Sequence, residues 1–434
     1  MALRFAPPYP PHSLLRMSVL SAPAASPQPS ERTLLLTLAA IQFTHILDYM
    51  IMMPLGAGLM REFSLSPAQF SQLVAAYGGA AAVAGLCGGL FLDRVDRKHA
   101  LACLYAGFTL STLACALAPG HHSLLAARVS AGVCGGLAGA VVVALVADTV
   151  PPERRGRGMA FVMSAFPLAS VAGVPLGIAL SNRLGWHAPF FLLAGLGIPI
   201  FCAILRFLPH RPPAAATVPV FEQMRDLLAE TVHWRGFAVT AALVTAGGCI
   251  IPFMAPSLVA NVGVTENLLP WVYFFGGAAT FFSTPLIGRL TDRYDKFNVL
   301  ALLTLPAIAA TLLITHLGPA PLWLVLIVTT FFFVGMSGRF GPTTTLVANA
   351  VAPRFRGGFM SINSAVQQGA SAAANLLGGA LITRDAAGHL VGYGRVGWLS
   401  VGAFVLTVVL AHRLRAAAPH AAINRPPATS PAAS

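Results

Sequence analysis

Long intervals without a charged side chain are the feature that most constrains this chain. The intervals 62–93, 98–128, 235–266 and 356–384 carry charges only at their ends, and each exceeds the roughly 20 apolar residues that an α-helix needs to cross a bilayer. Only 9% of the 434 residues are charged and 56% are hydrophobic, whereas a soluble domain carries about 25% charged residues. The chain is therefore predicted to be an all-α membrane protein whose surface mostly faces lipid.

Charged residues and turn signals divide the chain into twelve predicted transmembrane helices. Two long apolar regions hold two helices each, because Pro and Gly clusters at 119–122 and 318–321 interrupt them. The predicted helix cores are 34–59, 69–92, 100–118, 122–147, 159–181, 189–208, 237–260, 268–290, 298–317, 321–347, 358–383 and 391–412. The terminal segments 1–32 and 414–434 are predicted to be disordered cytoplasmic tails.

Basic residues fall mostly on one side of the predicted membrane. Of the 27 Lys and Arg residues, four lie on one side, two lie inside spans, and the remaining 21 lie on the side that carries both termini. Because loops rich in Lys and Arg stay in the cytoplasm, both termini are predicted to be cytoplasmic. The net charge of +13 is then a topology signal beside anionic lipid, and nucleic acid is not an expected partner.

The two halves of the chain repeat one another. Residues 89–97 align with residues 288–296 at a constant offset of 199, and both segments follow the second helix of their half. In transporters built from two parallel repeats, an axis along the membrane normal relates one repeat to the other. We therefore predict two pseudo-symmetric six-helix halves, 33–208 and 237–413, joined by a cytoplasmic linker at 209–236.

Four segments resemble motifs of the major facilitator superfamily. GLFLDRVDRK at 89–98 resembles the signature between helices 2 and 3, with Asp96 where a glycine is usual. RVSAGVCGGLAG at 128–139 resembles the helix-4 motif of proton-coupled members, and GVPLGI at 173–178 resembles the helix-5 motif of antiporters, with Val174 before the proline. Helix 1, THILDYMIMMPL at 44–55, is similar to the drug:proton antiporter branch, which includes bacterial sugar-efflux permeases.

The resemblance implies a multi-pass transporter of the bacterial inner membrane, not an enzyme. Its expected function is the proton-coupled export of small molecules such as drugs, sugars or metabolites by alternating access. An uncoupled or import-type carrier is the alternative within transport, and a membrane sensor or receptor is the alternative outside it. The expected partners are substrate, protons and lipids, the expected state is a monomer, and the energy source is the proton gradient without a cofactor.

Asp48 is the acidic residue that lies deep inside a predicted span, in helix 1. An ionisable group at this depth is expensive and is by default a functional hypothesis, here as the proton carrier. A structural carboxylate bonded to a neighbouring helix is the alternative. His45 lies one turn earlier on the same face, where it could share the proton, contact substrate or serve only as a hydrogen-bonding group.

Two arginines also lie inside predicted spans. Arg128, about six residues into helix 4, could pair with Asp48 and release it on protonation, or could extend its side chain to the outer interface. The resemblance places helices 1 and 4 beside a central cavity, which favours the pair. Arg339 in helix 10 is predicted either to extend toward the cytoplasmic interface or to line the cavity.

A second set of candidates would control the conformational change. The resemblance implies that Asp93 faces the start of a helix in the opposite half, here helix 11 at Gly357-Gly358, while a solvated charge cluster is the alternative. Asp148 at the end of helix 4 is expected to join this network through Arg155 or Arg157. The full candidate set for gating is Asp93, Arg94, Arg97, Asp148, Asp292 and Arg293.

Small residues and buried polar groups complete the candidates. Gly173, Pro175 and Gly177 are predicted to weaken or bend helix 5, and the glycine run 132–139 is predicted to permit close packing of helix 4. The candidates for cavity lining are Gln42, Tyr77, Arg339, Asn363 and Gln367. The sequence shows no nucleophile–base set, no Walker loop and no metal-ligand spacing, so neither a catalytic nor a metal site is predicted.

Overall fold

The computed structural model describes residues 30–91, 95–210 and 220–417. The first half contains six membrane-spanning helices, two of them interrupted. Helix 1 comprises Glu31–Ile51 and Gly56–Glu62, helix 2 is Pro67–Phe91, helix 3 is Arg97–Ala116 and helix 4 is His121–Thr149. Helix 5 comprises Arg155–Met163, Ala165–Leu168, a π-helical turn at Ala169–Gly173 and Val174–Leu184, and helix 6 is Ala188–Phe207.

The second half repeats this arrangement after a short linker helix, Val220–Ala229. Helix 7 comprises Thr231–Gly248 and Ile251–Ala260, helix 8 is Leu269–Arg293 and helix 9 is Lys296–Thr315. Helix 10 comprises Leu322–Gly338 and Phe340–Asn349, helix 11 is Arg356–Leu381 and helix 12 is Tyr393–Ala417. Two short 3₁₀ turns, Glu266–Leu268 and Pro353–Phe355, precede helices 8 and 11.

All twelve predicted helices are present in the described residues. Ten of them are long and apolar enough to cross a membrane by length and composition, and helices 8 and 11 are the other two. Helix 11 is less apolar because it carries a row of amide and hydroxyl side chains: Asn363, Gln367, Gln368, Ser371 and Asn375. Polar side chains in a span are typical of helices that face the protein interior rather than lipid.

Two short elements were not predicted. The linker helix lies inside the segment 209–236, and helix 7 begins at Thr231, six residues before its predicted core. A two-stranded antiparallel hairpin, Thr383–Arg384 with Leu390–Val391, connects helices 11 and 12. Asn261 holds this hairpin, since its side chain exchanges two hydrogen bonds with the backbone of Leu390, at 2.8 and 3.0 Å. The predicted terminal tails lie almost entirely outside the described residues.

Each interruption of a transmembrane helix lies three to four residues before a proline. Helix 1 stops at Ile51 before Pro54, helix 7 at Gly248 before Pro252, and helix 10 at Gly338 before Pro342. In helix 5 the break at Ser164 lies three residues before Pro167, and the π-helical turn includes the third and fourth residues before Pro175. Proline cannot donate to the carbonyl four residues earlier and its ring collides with that turn, so the helix must break or widen there.

The internal repeat extends to the caps of two equivalent helices. The side chain of Asp96 accepts from the backbone N–H of His99 at 3.0 Å and caps helix 3. Asp295, at the offset of 199, accepts from Phe297 and Asn298 at 3.0 and 3.1 Å and caps helix 9. The aspartate that departs from the family signature therefore has a capping role.

The apolar cores show how the two halves meet. On the side away from the termini, one continuous core joins both halves, and it includes Ile51, Phe70, Phe253 and Phe332. On the terminal side each half has its own core. The core of the first half includes Leu38 and Val142, and that of the second includes Val347 and Phe359.

Polar contacts close the same side. Arg61 donates to both carboxylate oxygens of Glu266, at 2.8 and 3.2 Å, from one half to the other. The side-chain amide of Asn182 donates to the carbonyl oxygen of Glu266 at 2.9 Å. The structure is thus closed on the side away from the termini, while the cores of the two halves are separate on the terminal side.

Candidate functional site

Asp48 and Arg128 form a fully buried ion pair between helices 1 and 4. Nη1 of Arg128 lies 2.6 Å from Oδ2 of Asp48, and both side chains are 0% exposed. The same nitrogen donates to the backbone carbonyl of Asp48 at 3.2 Å. Thr112 of helix 3 donates its hydroxyl to Oδ1 of Asp48 at 3.3 Å. Arg128 therefore does not extend to the membrane interface, and of the two predicted placements the structure shows the pair.

Tyr77 and His45 extend this cluster toward helix 2. The guanidinium of Arg128 lies over the ring of Tyr77, 4.7 Å from its centre, a cation–π contact. The hydroxyl of Tyr77 lies 3.3 Å from Nδ1 of His45. Arg128 Nε and Nη2 and His45 Nε2 are buried with no protein hydrogen-bond partner among the described residues. The cluster therefore keeps unused hydrogen-bonding groups beside the ion pair.

The glycine run of helix 4 is what lets Arg128 reach this position. A side-chain carbon at Gly132 would meet the backbone of Tyr77, and one at Gly136 would lie 2.7 Å from Cβ of Ala81. One at Gly139 would lie 3.1 Å from Nε2 of His45. Helix 4 can approach helices 1 and 2 this closely only with glycine at these positions, which confirms the prediction of close packing.

The cluster also reaches the second half of the molecule. Tyr49, next to Asp48, packs its ring 5.4 Å from that of Tyr77. Its hydroxyl lies 3.5 Å from the hydroxyl of Ser371 in helix 11, on the other side of the inter-half boundary. The cluster therefore extends from Arg128 through Tyr77 and Tyr49 to the contact between the halves.

The remaining polar candidates lie apart from the ion pair. Gln42 and Asn363 are buried, and the side-chain oxygen of each has no protein hydrogen-bond partner among the described residues. Gln367 is partly buried on helix 11. The carbonyl oxygen of its neighbour Gln368 would lie 3.3 Å from a side-chain carbon at Gly78 in helix 2, so this part of helix 11 faces the first half.

Arg339 lies inside the second half and does not extend to an interface. Its guanidinium carbon is 4.0 Å from the centre of the Phe404 ring in helix 12, and the side chain is fully buried. Nη2 approaches the sulfur of Met336 at 3.3 Å and Nε the carbonyl of Gly335 at 3.4 Å. The break in helix 10 places this side chain against helix 12, so of the two predicted placements the extension toward the cytoplasmic interface is wrong, and cavity lining stays a prediction.

The gating candidates are only partly described. Asp93 and Arg94 lie outside the described residues, so their predicted contacts stay predictions. Nε of Arg97 lies 2.6 Å from Oδ2 of Asp148, which joins the start of helix 3 to the end of helix 4. The partners expected for Asp148, namely Arg155 and Arg157, were wrong, because in the described residues its ion pair is with Arg97. Asp292 and Arg293 are exposed at the end of helix 8.

The helix-5 motif packs helix 5 against helix 1. A side-chain carbon at Gly173 would lie 2.9 Å from Leu47, and one at Gly177 would lie 2.5 Å from Ile51. On the opposite face, a side-chain carbon at Gly277 of helix 8 would lie 2.8 Å from the carbonyl of Ser170. The predicted irregularity at Pro175 is present as the π-helical turn, and it lies where helix 5 meets both helix 1 and the other half.

Sequence reasoning missed three members of the cluster, Thr112, Tyr49 and Ser371. All are uncharged residues within spans, and only their position on facing helices brings them to the cluster. Tyr49 could have been predicted from the sequence, because it follows a buried carboxylate and a buried tyrosine hydroxyl needs a hydrogen-bond partner.

The twelve-helix, two-half architecture is that of a secondary transporter of small molecules rather than an enzyme. The model of the Major Facilitator Superfamily matches residues 38–375 and 236–433. The chain belongs to this family and is a multi-pass membrane transporter.

Curated relatives support this assignment. The chain is 27% identical to an uncharacterised MFS-type transporter of Bacillus subtilis (strain 168) over 392 residues, covering 87% of this chain and 92% of that protein. It is 22% identical to a "Probable sugar efflux transporter" of Pasteurella multocida (strain Pm70), covering 70% and 74%. It is 28% identical to a chloramphenicol efflux pump of Mycobacterium tuberculosis (strain ATCC 25618 / H37Rv), covering 66% and 69%.

A solved transporter has the same fold. The structure of a bacterial homologue of the human lysosomal transporter Spinster, in an inward-facing and occupied conformation, aligns with a TM-score of 0.69 at 16% identity. The alignment covers 90% of this chain and 98% of that chain.

Proposed function

We propose that the protein is a proton-coupled exporter of small molecules that works by alternating access, with Asp48 as the proton carrier. The observation that carries the proposal is the fully buried pair of Asp48 and Arg128. A carboxylate taken out of water must be either paired or protonated, because a charged and unpaired group at this depth is too costly. Exchange between these two states is the chemistry that proton coupling requires.

In the proposed cycle the two states of Asp48 have different partners. When Asp48 is charged, Arg128 neutralises it, as in this structure. When Asp48 takes up a proton, the guanidinium loses its anion and turns its unused N–H groups to another acceptor, either water or substrate. Arg128 is the eighth residue of helix 4, about 10 Å from the end on the closed side at 1.5 Å per residue.

Coupling to the conformational change would run through Tyr49. Its ring contacts Tyr77, which lies under Arg128, and its hydroxyl reaches Ser371 of the other half. A movement of Arg128 on protonation would therefore disturb a contact that joins the halves on their closed side. This arrangement supports a coupled cycle over an uncoupled one.

The substrate class and the orientation rest on the relatives and on the charge pattern. The curated relatives include proteins named for sugar efflux and for chloramphenicol efflux, which supports small uncharged or amphipathic substrates and outward transport. The excess of basic residues on the terminal side supports cytoplasmic termini in a bacterial inner membrane. With that orientation the structure is closed on the periplasmic side and the halves have separate cores on the cytoplasmic side, the state that would take up an exported substrate.

The test is substrate transport by purified protein in liposomes with an imposed pH gradient. Asp48→Asn keeps the shape of the neutral carboxyl and cannot release a proton. We expect this variant to insert, to retain exchange of substrate down its gradient, and to lose accumulation driven by the pH gradient. Full proton-driven accumulation by Asp48→Asn would refute the assignment, and His45 would be the next candidate. Uptake into the compartment of higher pH by the wild type would indicate an import-type carrier instead.

A further inference from the structure

Three potential metal ligands meet on the terminal side of the first half. Asp96 precedes helix 3, His99 lies in the first turn of that helix, and His210 follows the end of helix 6. Ligand atoms of the three residues all lie within 4.8 Å of one another. Sequence analysis predicted no metal site, because His210 lies more than a hundred residues from the other two and only the fold brings it to them.

The distances between these atoms suit a small tetrahedral ion. Nδ1 of His99 lies 3.2 Å from Oδ1 of Asp96, and Nδ1 of His210 lies 3.6 Å from the same oxygen. Ligands at 2.0–2.2 Å from a tetrahedral zinc ion are separated by about 3.3–3.6 Å. Two of the three ligand-to-ligand distances therefore differ from those of an occupied site by only a few tenths of an ångström, and the third is at most 4.8 Å.

Local structure holds these groups in position. Asp96 is fixed by its capping hydrogen bond to the backbone of His99, and its side chain is 19% exposed. The rings of His99 and His210 lie 5.1 Å apart, so the second histidine rests beside the first. The imidazoles are 69% and 62% exposed, which leaves access for an ion from solution and a coordination position for water.

The chemistry of the ligands selects the class of ion. Imidazole nitrogen suits Zn²⁺ and its neighbours in the first transition series, whereas Mg²⁺ and Ca²⁺ require oxygen ligands. Two nitrogens and one carboxylate oxygen with an open fourth position form a site of the type that binds zinc with three protein ligands and water.

We propose that Asp96, His99 and His210 bind one Zn²⁺-class ion on the terminal face of the protein. The bound ion would tie the chain that leaves helix 6 to the loop between helices 2 and 3. That chain continues into the segment that connects the two halves, so the site lies where an ion could restrain their relative motion. The proposal is independent of proton coupling, because none of its ligands contacts Asp48 or Arg128 in the described structure.

The test is zinc binding by the full chain, purified with an affinity tag that contains no histidine. Competition with a zinc-sensitive dye would measure the stoichiometry and the affinity. We expect one tight site in the wild type, and binding weakened about tenfold or more in His99→Ala and in His210→Ala. His389→Ala is the matched control, because His389 forms a comparable pair with Asp385, at 3.3 Å, and no third ligand lies beside it in the described part of the chain.

A second measurement would identify the ligands directly. Co²⁺ in place of Zn²⁺ should give visible bands of a low-symmetry site in the wild type, and His99→Cys should retain binding and add a sulfur-to-metal charge-transfer band. Equal zinc affinity in the wild type and the double variant His99→Ala/His210→Ala would overturn the proposal, as would an equal loss of affinity in His389→Ala. Size-exclusion profiles would establish that each variant is folded.

Discussion

Asp48 and Arg128 depend on one another because neither has a second charged partner within hydrogen-bonding distance in the described structure. Removing one member of a buried pair leaves the other uncompensated and costs about 3–5 kcal/mol, whereas replacing both with neutral groups of similar size is often harmless. Tyr77 contributes a cation–π contact, but a neutral ring cannot replace the carboxylate. The pair should therefore show strong energetic coupling.

This coupling gives the first prediction. Arg128→Met should lower the stability of the purified protein by about 3–5 kcal/mol, and adding Asp48→Asn should recover most of that loss. Thermal unfolding in detergent would measure the stability of Arg128→Met, of Asp48→Asn and of the double variant, which together with the wild type form a double-mutant cycle. Arg339→Met is the control, since the buried Arg339 has no carboxylate partner in the described residues and Asp48→Asn should not change its effect. If the stability changes of Asp48→Asn and Arg128→Met were additive in the double variant, the predicted coupling between the two residues would be wrong.

The sequence identified the members of this pair but not its geometry. Asp48 could be found by elimination, because every other acidic residue lies near a helix end, in a loop or in a tail. Its partner remained open, since charge alone does not determine how helices 1 and 4 are rotated. The partner of Asp148 was wrong for the same reason, because Arg155 and Arg157 are near in sequence but Arg97 is near in space.

At the scale of the helix, glycine and proline determine where the transmembrane helices bend and how closely they pack. The five interruptions precede Pro54, Pro167, Pro175, Pro252 and Pro342, and only the one at Pro175 in helix 5 was predicted. The other interruptions also precede a proline, so the same sequence feature was present at each of them. Proline alone is not sufficient, however, because Pro199, Pro285 and Pro306 lie inside helices that continue. The tertiary contacts of each helix decide whether it breaks, and these are not visible in one sequence.

Close packing of helix 4 gives the second prediction. At Gly132 an added methyl group would meet the backbone of Tyr77, which cannot move aside as a side chain can. Gly132→Ala should therefore destabilise the protein by about 1–3 kcal/mol and reduce transport, because it pushes helix 4 and Arg128 away from helices 1 and 2. Thermal unfolding and transport in liposomes would measure both effects.

A glycine in open space provides the control for this prediction. Gly195 lies in helix 6 with nothing within 4 Å of an added methyl group. Gly195→Ala should leave transport unchanged and leave stability equal or slightly higher, since alanine is the better helix former. A loss of stability in Gly195→Ala comparable to that in Gly132→Ala would show that the contact with Tyr77 is not the cause.

For the whole molecule, the distribution of basic residues and the arrangement of the apolar cores both distinguish the terminal side from the opposite side. The side with separate cores carries Leu34 and Leu414, near the first and last described residues, and by sequence most of the basic residues. The side with the continuous core carries the hairpin between helices 11 and 12. The sequence predicted the number of helices and the repeat, but it could not predict which side is closed, because both conformations of a transporter share one sequence.

The orientation of these sides in the membrane is the third prediction. A green fluorescent protein fused after residue 417 should fluoresce, and alkaline phosphatase fused there should be inactive, because the terminal side is predicted to be cytoplasmic. Phosphatase inserted in the hairpin between Ala386 and Ala387 should be active. The reverse pattern at both positions would place the closed side in the cytoplasm and would invert the predicted topology.

Opening of the closed side is the last prediction. Arg61 and Glu266 join the halves by an ion pair whose side chains are 65% and 31% exposed, so it contributes at most about 1 kcal/mol and can open in each cycle. Cysteines at these two positions, in a background without the six native cysteines, should be joined by a reducible cross-linker that spans the gap. Cross-linking should abolish transport, and reduction should restore it, because the halves must separate here for the cavity to open on this side.

Cysteines at Thr383 and Val391, which are paired within the hairpin of one half, provide the matched control for this cross-link, and cross-linking them should leave transport intact. Undiminished transport with residues 61 and 266 joined would show that the halves do not separate at this point, which would rule out the rocking cycle.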